Sequence, residues 1–181
     1  MHAPSALELH APVGVALPTA SMQSSRDTSS SLNIVGWAVL TLDGLRLALP
    51  QRDMVTLELS SVLVSNPLGN VEVGTFVQKN RTWSAYALDA ALALQAVGVT
   101  RRLCAFFKTA GQVRGLLCDT FSLLPADGDI VAEPLPGCMV QTHSPIIGYA
   151  LRESQVVAAT SAQALAAYLE HLLETRRVAT L

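Results

Sequence analysis

Charge and aromatic rings are scarce in this sequence. Of its 181 residues only 14% are charged and 5% aromatic, while half are apolar. A core must therefore be built from Leu, Val and Ala. Positive charge gives no excess: the formal net charge is -2, so no basic field exists to hold nucleic acid or an anionic lipid surface. No run of about 18 or more apolar residues occurs, which argues against membrane insertion. Cysteine is limited to Cys104, Cys118 and Cys138. This odd number, without short metal-type spacing, fits reduced thiols in the cytoplasm and not a disulfide framework. Lys and Arg are missing before Arg26. A secretory leader needs a basic start and a compact apolar run, and here Pro4, Pro12 and Pro18 interrupt each apolar stretch. With its Ser-rich end, the stretch 1–32 is expected to be a disordered lead-in. Residues 33–160 are expected to form the folded domain, and 161–181 a C-terminal helix and tail. The length suits one domain able to bury a sizeable core.

What is present is strand-like. The apolar run 37–42 leads to Asp43-Gly44, a dipeptide that supplies the positive φ angles of a type I′ turn. Leu45, Leu47 and Leu49 then alternate with Arg46 and Ala48, the period-2 mark of a strand with one buried face. Pro50 ends that strand. Val55, Leu57 and Leu59 alternate in the same way with Thr56 and Glu58. Residues 65–70 read as loop. Residues 74–94 read as a strand, the polar turn 78–81, a strand over 83–86, and a short Ala/Leu-rich helix over 87–94.

A second hairpin follows, from Leu103–Lys108 through Ala110-Gly111 and back along Val113–Phe121. It echoes the first, with Gly44 and Gly111 in matching places, and suggests two small β-barrels side by side. Turns are expected at 127–129 and across Arg152-Glu153-Ser154, the latter closing a last hairpin. A helix capped by Thr160 or Ser161 should then bury Leu165, Leu169, Leu172 and Leu173. Arg176 and Arg177 at its end suit the helix dipole.

This order of elements resembles the CheW-like family of chemotaxis coupling proteins, over roughly residues 34–159. The first hairpin, Val39–Pro50, is similar to the family's opening hairpin with its Ala-Leu-Pro strand. Gly74–Leu88 lines up on the family's central stretch, Gly115–Asp119 resembles its Gly-Leu-Leu-Val-Asp strand, and Gly148–Ala159 looks like its closing hairpin. There are departures. Where the family has Leu-Arg-Gly, this chain has Gln78-Lys79-Asn80; Ser84 replaces the usual Pro and Ala87 the usual Asp. Lys79 keeps a charge but not the planar fork of arginine donors, and Asn80 can take the left-handed conformation at some cost.

The resemblance implies a mainly β fold: two five-stranded SH3-like β-barrel subdomains packed side by side, plus a C-terminal α-helix. It implies an adaptor without catalysis or cofactor, which couples a CheA-like histidine kinase to the cytoplasmic tip of a chemoreceptor. Lys79, Asn80, Arg81 and Trp83 are the candidate protein-binding residues, a polar turn beside a tryptophan, with Arg114 beside them. Each has a plainer reading: a solvated turn with Trp83 facing the core, and Arg114 as the outward residue of an alternating strand. Two rivals stand beside the adaptor: a divergent regulator that has lost one partner, and a small-molecule-binding or catalytic barrel with a pocket around Cys118 or His143. Neither cysteine sits on a Gly-rich elbow or a helix N-terminus, and Cys138 with His143 is too few ligands for a metal.

Overall fold

The computed structural model describes residues 36–65, 72–95, 100–125 and 132–179. The expected lead-in 1–32, most of the loop 65–70 and the turn 127–129 lie outside the described residues. The described part holds twelve strands and one α-helix: β1 (Gly36–Leu42), β2 (Leu45–Pro50), β3 (Met54–Leu59), β4 (Val64–Ser65), β5 (Gly74–Gln78), β6 (Arg81–Tyr86), β7 (Leu103–Thr109), β8 (Gln112–Cys118), β9 (Thr120–Pro125), β10 (Glu133–Pro134), β11 (Gly148–Arg152), β12 (Gln155–Ala159) and α1 (Ala162–Ala179).

Two six-stranded sheets result. The first has the order β10-β11-β12-β2-β1-β9 and the second β4-β5-β6-β8-β7-β3. The two orders are the same pattern. A three-strand antiparallel meander lies parallel to the second strand of a hairpin, and the strand that follows the other hairpin completes the far edge. Each half of the chain places its hairpin in one sheet and its next four strands in the other. The repeat suggested by Gly44 and Gly111 is therefore real: both glycines adopt positive φ, 92° and 94°. The expected five strands per barrel become six because β4 and β10 add two residues each at a sheet edge.

Each sheet contributes side chains to two apolar cores. Trp37, Val39, Ala48, Leu124, Val157 and Ala159 pack together on one side of the first sheet. Trp83, Ala85, Cys104, Phe106 and Leu117 do so in the second. Residues from non-adjacent strands meet in both clusters, so each sheet curls around a private core. The opposite faces share a seam that includes Leu40, Leu47, Leu49, Phe107 and Leu116, into which α1 lowers Leu165 and Leu169. This corrects the one-faced reading of β2: Ala48 is as buried as its neighbours, because it points into the private core while Leu47 and Leu49 point into the seam.

Two further expectations are overturned. Residues 87–94 are not a helix. The Asp89 carboxylate accepts hydrogen bonds from the N–H groups of Ala91 and Ala93, at 2.8 and 2.9 Å. Leu92 turns to φ 65° and Leu88 bridges Leu94. An aspartate bonding its own backbone outcompetes the helical pattern here, and Leu88 and Leu92 still reach the seam. In β3 the alternation holds but its apolar side is the open one: Val55, Leu57 and Leu59 are 39, 38 and 57% exposed. Leu57 and Leu59 stand opposite Ala105 and Leu103 of β7, with a register shift at Val55. They project from β7's seam side at the sheet edge.

The helix starts as expected. Ser161 Oγ accepts the N–H of Ala164 at 3.1 Å, and the Asp53 carboxylate adds a second acceptor for Ala162 N–H at 3.3 Å. Leu172 and Leu173 are partly buried against the seam, and residues 174–178 are exposed.

Candidate functional site

The exposed tip of the β5–β6 hairpin is the most pointed polar feature among the candidate residues. Gln78 pairs with Arg81, leaving Lys79 and Asn80 as a two-residue turn. Both sit at positive φ, 46° and 63°, the requirement of a type I′ hairpin. Lys79, Asn80 and Arg81 are exposed, and Val77 beside them is 58% exposed. The tip therefore offers two cations and an apolar contact to a partner.

Trp83 does not reach the surface. It is 9% exposed, and its ring packs at 5.5 Å on Phe106 and 5.7 Å on Phe76. Its role is to root the hairpin in the private core of the second sheet, and so to hold the tip at a fixed angle. Arg114 is also held from within. Its Nη2 donates to Glu170 Oε1 of α1 at 2.5 Å and to Gln112 Oε1 at 2.9 Å, and its side chain is 13% exposed. It lies opposite Ser84 of β6, so it connects the hairpin's root to the helix.

Sequence reasoning missed Arg101, a buried side chain with four polar partners among the described residues. It is 5% exposed. Nη1 donates to the carbonyls of Leu88 (2.6 Å) and Leu117 (3.1 Å). Nη2 meets Asp43 at 2.7 Å and Nε meets Asp119 at 3.2 Å. Asp119 also accepts the N–H of Asp43 at 2.7 Å. One buried guanidinium thus joins the β1–β2 turn, the crossing from β8 to β9, and the Asp89 turn segment. The available signal was Asp119 interrupting an otherwise continuous strand pattern over 113–121.

The residues of the catalytic rival sit in different environments. Cys104 and Cys118 are buried. Burial pushes the Cys104 thiol far up, and the Cys118 thiol up to about 12, aided by Asp119 and opposed by Arg101. Burial of both thiols opposes formation of the nucleophilic thiolate. His143 stacks on His171 of α1, ring centroids 4.2 Å apart, beside an open cleft of about 400 Å³ lined partly by Leu45, Leu92 and Tyr168. Among the described residues no three His, Cys, Asp or Glu side chains converge to hold a metal ion, and no helix is long and apolar enough to cross a membrane.

Two β lobes with a shared apolar seam and a C-terminal helix make up the described fold. The solved scaffolding protein TtCheW from Thermoanaerobacter tengcongensis has this fold. It superposes with a TM-score of 0.56 at 16% identity, over 69% of this chain and 87% of that one. No protein-family model matches the sequence, and no curated protein matches it.

Proposed function

We propose that this protein is a CheW-like scaffold that couples chemoreceptor tips to a CheA-like histidine kinase, in a chemotaxis-type or type IV pilus chemosensory pathway. On this reading it works in the cytoplasm by surface contact alone, with no catalysis and no cofactor. The observation that carries the reading is the superposition on a solved scaffolding protein across most of that protein's length. The arrangement of the molecule supports it further. Among the described residues its interior is filled largely by Leu, Ala and Phe.

Lys79, Asn80 and Arg81 would form the polar rim of a partner contact and Val77 its apolar part, with Trp83 setting the tip's orientation and Arg114 fixing the helix behind it. Contacts of this kind need only micromolar strength, roughly 8 kcal/mol, because many act together in an array. The test is binding of the full chain to a CheA-like histidine kinase and a chemoreceptor cytoplasmic region from the same organism. Binding to both at micromolar concentration supports the reading; a folded chain that binds neither overturns it.

The turn itself favours a second reading within the first. Lys79 and Asn80 stand where relatives would carry Arg and Gly, and both positions need the positive φ that glycine takes without strain. A chain with this change would be a regulator that has lost one partner. The double substitution Lys79→Arg, Asn80→Gly should then restore affinity for one partner by about tenfold or more; unchanged affinity would remove the turn from the contact.

A further inference from the structure

Four strands lie at sheet edges. An edge exposes unpaired N–H and C=O groups that can template pairing with another chain, and proteins usually blunt it. Here β4 and β10 are only two residues long. β9 carries a single exposed large apolar side chain, Leu123, and stops at Pro125. β3 is different. Its outer edge pairs with no strand among the described residues. Val55, Leu57 and Leu59 project from it into solvent, and neither Lys nor Pro interrupts them. The register shift at Val55 touches only its start, leaving Thr56–Leu59 regular against β7.

The strand is also its own complement. Val55-Thr56-Leu57-Glu58-Leu59 reads apolar, polar, apolar, polar, apolar in both directions about Leu57. An antiparallel partner reverses the chain direction. A second β3 laid against the first with Leu57 on the two-fold axis therefore opposes Leu57 to Leu57, Val55 to Leu59 and Thr56 to Glu58. Every apolar side chain meets an apolar one, and no like charges face each other. We propose that a second copy of this chain docks on β3 in this register, joining two sheets edge to edge in an isologous dimer. In sheet order β7 and β8 separate β3 from the β5–β6 hairpin, so the dimer would present two copies of the tip. The proposal does not depend on the adaptor reading.

The experiment uses the purified full chain and no partner. Sedimentation velocity from about 1 to about 200 µM should show a monomer–dimer equilibrium with a micromolar dissociation constant. Leu57→Lys should raise that constant about tenfold or more with the circular dichroism spectrum unchanged, because residue 57 is partly exposed in the monomer. The register has its own readout. In a Cys138→Ser background, Leu57→Cys should oxidise to a disulfide-linked dimer, since opposed Cα atoms lie about 4.5–5.5 Å apart, within disulfide reach. Val55→Cys, opposed to Leu59, should cross-link far less. A chain monomeric across the whole range, association unaffected by Leu57→Lys, or equal cross-linking at 55 and 57 would each overturn the proposal.

Discussion

At the scale of single residues, the structure depends on polar groups that the sequence hides. Arg101 was missed because nothing local to it predicts burial; its partners Asp43, Leu88, Leu117 and Asp119 come from three separate segments. Arg101→Met would leave two carbonyls without their donor and two aspartates without their cation. The expected loss is about 3 kcal/mol of stability, read from the midpoint of urea denaturation. A midpoint unchanged within error would show that the guanidinium contributes nothing net. The cysteines give a second expectation. Cys138 is exposed while Cys104 and Cys118 are buried, so Ellman's reagent should titrate one thiol in the native protein and three after denaturation. Two or three fast-reacting thiols would contradict the packing. The sign of the pH effect follows from the raised thiol of Cys118. Its unfolded form ionises near the ordinary value of 9.0, whereas the folded form holds its proton to about 12. Above pH 9 the unfolded chain binds fewer protons, so stability is full below that value and falls as pH rises toward 12.

At the scale of elements, turns and strands were legible and their environments less so. The hairpin turns at Asp43-Gly44, Ala110-Gly111 and Glu153-Ser154 all adopt positive φ, as local composition suggested for the two that contain glycine. The Ala/Leu stretch 87–94 misled because helix propensity was read without the acceptor that Asp89 supplies. The stripe on β3 misled because period-2 alternation fixes which residues share a face but not which face is covered. Of the candidate site, the exposed tip was legible from its polar sequence, and the burial of Trp83 was not, since tryptophan suits cores and interfaces alike. Lys79 carries positive φ without glycine's freedom. Lys79→Gly should therefore stabilise the fold by about 0.5–1 kcal/mol while weakening any partner contact made through its charge. Destabilisation would mean that the side chain holds the turn. In α1, Leu165 and Leu169 are fully buried. Leu165→Ala should cost about 2–5 kcal/mol by thermal or urea unfolding, since a helix end alone would barely lower stability if it were not part of the seam.

At the scale of the whole molecule, the faint sequence repeat becomes a reciprocal exchange. The hairpin of each half sits in one sheet and its remaining strands in the other. The lobes cannot separate without breaking both crossings and the seam, so unfolding should be a single transition. Their orientation is consequently fixed by the two crossings and the seam. This architecture was readable because alternating aliphatic residues and paired turns mark strands; the exchange was not, because nothing in a strand's own sequence names the sheet it joins. The central claim is that the exterior does the work by binding. Its most direct measurement is biolayer interferometry of the immobilised full chain against a CheA-like histidine kinase and a chemoreceptor cytoplasmic region from the same organism, with a Lys79→Glu, Arg81→Glu variant beside the unaltered protein. The expected result is micromolar binding to at least one of the two, weakened about tenfold or more in the variant. A folded protein that binds neither up to about 100 µM would contradict the account.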